Sequence, residues 1–242
     1  MTSILKKEIF SFFSSVSGYL VAGVFLLVTS LFLWIIPGNL NIPFGGYASL
    51  DSLFELAPWV YLFLVPAVTM RLFSEEKKTG TMELLLTKPI TDWQIVVGKY
   101  LAGVILIVCS LLPTLIFYLS VNNLAQPVGN IDHGAIFGSY IGLFLLAAVY
   151  AAIGLFTSSL SNNQVVAFVL AVVGCFLFYS GFQAMTAIPF FKQVMSFIIY
   201  LGIDEHYQSI SRGIVDSRDI VYFFSVIFLF LLFTKARLKN SG

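Results

Sequence analysis

Arg71-Leu72-Phe73-Ser74-Glu75-Glu76-Lys77-Lys78-Thr79-Gly80-Thr81-Met82-Glu83-Leu84-Leu85-Leu86-Thr87-Lys88-Pro89-Ile90 is a charged, partly amphipathic interval between two long apolar segments. Ser74 can cap a short helix that has Glu75 and Glu76 at its positive end and Lys77 and Lys78 toward its negative end. Gly80 suits the left-handed residue that stops such a helix. Thr81 starts a second turn carrying Glu83 and three leucines, which Pro89 terminates. Thr91 and Gln94 then have the spacing of a capping box that launches the next helix. A solvent loop between two membrane helices has no need of Leu84, Leu85 and Leu86 in a row. Something must cover them: the bilayer face, neighbouring helices or another protein.

The flanking sequence sets the solvent. Of 242 residues, 59% are apolar, 16% aromatic and only 10% charged, against roughly 25% charged in soluble domains. Mean hydropathy is +0.95. Runs such as 21–34 and 141–154 are apolar on every side, which excludes a β-barrel, whose strands alternate polar and apolar residues. The expected fold is an all-α polytopic membrane protein with six transmembrane helices, near 18–36, 53–73, 92–120, 134–158, 164–184 and 219–234. Each has roughly the 20 residues needed to cross about 30 Å of hydrocarbon. The last is the shortest, so its helix is expected to start at Ser217 or run past Thr234.

Basic residues set the orientation. With the amino terminus in the cytoplasm, ten of the thirteen Lys and Arg fall on the inner side. The outer loops 37–52 and 121–133 hold none. Excess Lys and Arg mark cytoplasmic loops, so both termini are expected there. Upstream of the first span, Leu5, Ile9, Phe12, Phe13 and Val16 recur at helical spacing. Residues 1–17 thus read as an amphipathic helix on the inner membrane surface. On the outer side, the apolar stretch 188–201 is too short to span and reads as a re-entrant or interfacial helix before the last span.

Several chemistries are missing. No G-x-x-x-x-G-K-[ST] loop is present, so nucleotide is not bound by that route. No Asp, Glu, Lys, Arg or His lies in the middle of a span; Glu55, Arg71 and Lys99 fall near span ends, where they are expected to reach interfacial water. Ion-coupled carriers place such groups at mid-membrane. His133 and His206 lack metal-ligand spacing and read as solvated loop residues. Cys109 and Cys175 fall inside spans and read as small core residues. No catalytic, cofactor-binding or metal site is expected. Tyr179, Ser180 and Gln183 either line a pathway or hydrogen-bond across helices. The Gly138-x-x-x-Gly142 stripe, with Ala147, Ala148, Ala151, Ala152 and Gly154, reads as a close-packing surface.

Residues 73–89 resemble the cytoplasmic signature of ABC-2 type permeases, an E-x-x-x-G-T-x-E-x-L-L-like stretch before the third span. Ala57-Pro58-Trp59, residues 63–71 and residues 209–219 are similar to the gliding-motility permease subunits of Bacteroidetes. The resemblance implies a single permease domain over 1–242, with a cytoplasmic coupling segment at 74–90 and an extracytoplasmic gate segment at 185–218. It implies a separate cytoplasmic ABC ATPase, which holds ATP and Mg. A second permease subunit, in a heterodimer, and the lipid bilayer complete the expected partners, with no nucleic acid among them. Carried over by position, Glu75, Gly80, Thr81, Glu83, Leu84 and Leu85 would meet the ATPase. Asp204, Glu205, His206, Arg212 and Asp216 would shape the outer gate. The expected location is the bacterial inner membrane. A rival reading is a non-transporting assembly subunit that passes ATP-driven motion to a periplasmic or motility apparatus.

Overall fold

In lipid every backbone polar group must be satisfied internally, which leaves an apolar chain of this composition the helix. The computed structural model describes residues 1–86, 89–186, 195–213 and 216–239. Among these residues every regular element is helical. Chain order gives α1 (Thr2–Phe13), α2 (Val16–Ser30) with a π-helical turn (Leu31–Ile35), α3 (Ile42–Gly45), α4 (Asp51–Thr69), α5 (Arg71–Thr79) and α6 (Thr81–Leu86). There follow α7 (Asp92–Leu111), a 3-10 turn (Leu112–Thr114), α8 (Leu115–Leu124), α9 (His133–Leu160), α10 (Gln164–Phe176), a second π-helical turn (Leu177–Gly181) and α11 (Phe182–Met185). The chain closes with α12 (Met195–Tyr200), α13 (Ile203–Ser211) and α14 (Ser217–Lys239).

Among the described residues, six helical stretches are long and apolar enough to cross a membrane: Gly18–Ile35, Asp51–Thr79, Asp92–Leu124, His133–Leu160, Gln164–Met185 and Ser217–Lys239. The last extends beyond 219–234 at both ends. The second runs farther than expected, because α5 continues α4 after a break at Met70. The apolar stretch 188–201 is described only from Met195, where α12 begins; residues 187–194 lie outside the described residues.

The fourth span is the pole of the bundle. Its most apolar stretch is 78% buried, against 22% for the first span, so protein rather than lipid surrounds it. Small residues allow that. A side chain at Gly138 would run into Gly213, one at Gly142 into Ile210, and one at Gly154 into Thr69. The stripe therefore packs within the subunit, against α13 at one end and α4 at the other. Thr69 donates its hydroxyl to the Val65 carbonyl at 2.9 Å. Its methyl faces Gly103 of α7, so three spans close around one threonine.

The amino-terminal helix is separate from the first span. Ser15 is extended between α1 and α2, and its hydroxyl donates to the Phe12 carbonyl at 2.8 Å. Arg71 fixes the corner, with its guanidinium 4.9 Å from the Phe12 ring centroid. The inward face of α1 is not the expected one. Ile4 and Phe12 are buried, with Glu8 between them 14% exposed, while Phe13 is exposed and Leu5 and Ile9 are half-buried. This face packs on α7, with Ile4 lying against Gly98.

Contacts place α1, α5 and the end of α14 at one end of the bundle: Lys7 pairs with Glu76, and the Lys235 ammonium lies 5.0 Å from the Trp93 ring at the start of α7. This is the terminal end of the bundle. Gly154→Ala should drive Thr69 out of its slot and cost about 1–3 kcal/mol, read as a lower thermal unfolding midpoint in detergent. Adding Thr69→Gly should recover part of the loss; an unshifted midpoint in Gly154→Ala would refute this packing.

Candidate functional site

The charged interval is built on the terminal end. α5 opens on amide N–H groups that an uninterrupted helix would satisfy internally. Here Ser158 of α9 inserts its hydroxyl: it donates to the Met70 carbonyl at 2.7 Å and accepts from Phe73 N at 3.0 Å and Ser74 N at 3.1 Å. A side chain entering the i→i−4 ladder is a recognised cause of a helix break. Ser74 does not cap the helix. It lies inside α5, buried, with its hydroxyl turned back onto the Met70 carbonyl. Gly80 does stop α5, at φ +70°, and α6 starts at Thr81. The Thr91–Gln94 capping box is present in both directions at the start of α7.

Burial divides this segment in two. Leu72, Phe73, Ser74 and Glu76 are buried against the bundle, and so is Met82. Glu75, Lys78, Thr79, Gly80, Thr81 and Glu83 are exposed. The predicted coupling residues Glu75, Gly80, Thr81 and Glu83 therefore all belong to the exposed part of the segment. Leu84 and Leu85 lie on α6, and their side chains fall outside the described residues.

Behind that surface is a charge cluster that the sequence reading missed. Lys99 does not reach water: its side chain is fully buried. Its ammonium donates to Glu8 Oε1 at 2.8 Å and to the Leu72 carbonyl. Glu76 Oε2 stands 2.9 Å away, off the hydrogen-bond direction, as an ion-pair contact. Lys7 donates to Glu76 Oε1 at 2.8 Å. Burial pulls the Lys7 ammonium down, but the hydrogen bond and charge of Glu76, with Glu8 and Glu75, outweigh it. Its pKa stands above the ordinary lysine value. Two lysines and two glutamates from α1, α5 and α7 thus form a neutral quartet. Glu76, expected at a solvent-facing helix start, is part of it.

At the opposite end a cavity of about 800 Å³ opens between α4, α9, the fifth span and α13. Trp59, Tyr179, Tyr207, Glu55, Asp204 and Arg212 are among the residues lining it. Tyr179, Ser180 and Gln183 face this space, on or beside the π-helical turn of the fifth span. Tyr207 ties α13 to α4 by donating to the Phe54 carbonyl at 2.7 Å.

The predicted gate residues separate. Asp204 and Arg212 reach the cavity; Glu205, His206 and Asp216 do not line it. Glu205 is exposed on α13. Asp216 accepts from Arg218 N at 2.9 Å at the start of α14. His206 is not a solvated loop residue. It is buried on α13, with Nδ1 2.7 Å from Asp219 Oδ1 and Nε2 2.9 Å from the Tyr200 carbonyl. The Tyr222 ring stacks on it at 3.9 Å. Asp219, also buried, lies in the first turn of the last span and gives no sign of this partner in the sequence. His133 stays exposed and meets the Tyr118 hydroxyl at 2.8 Å.

The His206–Asp219 contact fastens α13 to the sixth span. His206→Ala would leave the buried Asp219 carboxyl group without its imidazole partner, at a cost of about 1–3 kcal/mol. A lower unfolding midpoint is expected in detergent, with Asp219→Ala in the same chain adding little further loss. Fully additive losses would show that the two residues are uncoupled.

No curated protein sequence matches the chain. The model of the ABC-2 family transporter proteins matches residues 60–236. The match takes in the second half of α4, then α5 to α13 and most of α14, and covers well over half of the chain. Six spans, a capped charged segment before the third and a family match of this extent agree: the chain belongs to the ABC-2 family of transporter proteins.

Proposed function

We propose that the chain is the permease subunit that couples ATP hydrolysis on a separate cytoplasmic ATPase to transport across a bacterial inner membrane. The family makes it a membrane component of an ABC transporter. The coupling surface is the outward side of α5 and α6. The observation that carries this reading is the shared exposure of Glu75, Gly80, Thr81 and Glu83. They stand on α5, on α6 and at the glycine between them; the other side of α5 is anchored by Ser158 and Lys99, and Met82 of α6 is buried. A short helical segment with one side fixed and one side free suits helix-in-groove recognition.

In this reading the terminal end is cytoplasmic, in accord with the Lys and Arg distribution. ATP and Mg²⁺ are held by the ATPase. Transport proceeds by rigid-body change in a permease pair, toward or from the cavity at the other end. Asp204 and Arg212 act at the mouth of that cavity. The second permease subunit is a different chain, and the complex serves gliding motility, as the likeness at Ala57-Pro58-Trp59 and residues 63–71 suggests.

The test is a charge reversal on the free side. Glu83→Lys should lower retention of the co-purified ATPase about tenfold, equivalent to roughly 1.4 kcal/mol. Its unfolding midpoint in detergent should match wild type, because Glu83 is exposed. Unchanged ATPase binding together with unchanged hydrolysis would refute docking at this surface.

A further inference from the structure

Glu8 is out of place for a helix that merely lies on a membrane. Such a helix turns its charges to water, yet Glu8 points inward between the buried Ile4 and Phe12. Burying an ion pair gains little stability over apolar packing of the same volume, and its best-attested use is to fix position. Lys99 joins three elements. It belongs to α7, takes Glu8 from α1, and takes both Glu76 and the Leu72 carbonyl from α5. The route from α5 into its own span is interrupted at Met70, where Ser158 enters the helix ladder. A displacement of α5 therefore has a continuous polar connection to α7 and α1 through the Lys99 ammonium.

We propose that Lys99 is a positioning residue for energy coupling: through Glu8 and Glu76 it clasps the amino-terminal helix to the ATPase-docking helix and the third span, so that all three move together. The proposal rests on the permease-subunit reading above. α1 is then a working part of the coupling apparatus rather than a membrane tether. Glu8 is the arm of Lys99 to α1: without it Glu76 and the Leu72 carbonyl still hold α5 to α7, while the Lys7–Glu76 pair remains as a charge contact between α1 and α5.

The experiment uses the chain with its ATPase in lipid nanodiscs, comparing wild type, Glu8→Ala, Glu8→Gln and Lys99→Met. Glu8→Ala should keep the ATPase bound and its KM for ATP within about twofold, while kcat falls at least about fivefold, the low end of measured couplings between sites. Glu8→Gln keeps an acceptor for Lys99 and should retain more than half of kcat. Lys99→Met should lose at least as much as Glu8→Ala. Because that variant empties a buried site, Glu8→Ala decides if it fails to fold. A kcat in Glu8→Ala equal to wild type overturns the proposal, as does loss that appears only as a dissociated ATPase. A second readout needs no ATPase: spin labels at Lys6→Cys and Lys78→Cys in a cysteine-free background report the α1–α5 distance in the chain alone. In a Lys7→Ala background, where the Lys7–Glu76 pair no longer bridges the two helices, Glu8→Ala should broaden that distribution relative to Lys7→Ala alone, and an unbroadened one overturns the clasp. If wild type retains no ATPase while the distance broadens, the clasp stands as structure and the permease-subunit reading is what fails, taking the coupling role with it.

Discussion

A lysine ammonium taken fully out of water must find opposite charge and acceptors for its protons, or it neutralises itself or unfolds its site. Lys99 meets that demand with Glu8, Glu76 and the Leu72 carbonyl. None of these partners comes from its own helix. The consequence is architectural: α1 cannot leave the bundle, nor α5 rotate, without stranding a charge. The docking side of α5 is thereby set by what its opposite side must do. Glu75 and Glu76 are neighbours in sequence, but one is exposed and the other nearly sealed.

The two ends of the molecule share one rod. The fourth span is 28 residues long, about 42 Å at 1.5 Å per residue. At the terminal end its Ser158 satisfies the first amides of α5. Toward the other end, Ser139 donates to the Ser211 carbonyl at 2.7 Å and Gly142 admits Ile210, which seats α13 beside the cavity. Tyr207 then ties α13 to α4, and His206 ties it to the sixth span. Interiors packed this closely pass on displacement rather than absorb it. A shift of α5 against α9 thus meets elements fastened to the cavity wall.

Local chemistry was legible in the sequence; long-range pairing was not. Gly80 as a left-handed stop, Thr81 as a helix start, the Thr91–Gln94 box and the longer sixth helix follow from neighbours a few residues apart. All are present. Ser74 misled because its capping signal is local, while its actual role depends on a serine 84 residues away. Lys99 misled for the same reason. A cation near a span end reads as snorkelling to water, and only the fold reveals a glutamate 91 positions distant. A usable hint existed in Glu8, an acid amid apolar residues on the inward side of α1. His206 and Asp219 lie 13 residues apart, on two separate helices, and no spacing rule in the sequence links them.

The most direct test of the account is photo-crosslinking in native membranes. A photoreactive amino acid would replace Thr79, Thr81 or Glu83 on the free side of α5 and α6, or Tyr47, exposed beside α3. The account predicts ATP-dependent crosslinks to an ATPase subunit from all three positions at the terminal end, and none from Tyr47. Absence of ATPase crosslinks at the three positions, or equal labelling from Tyr47, would contradict it.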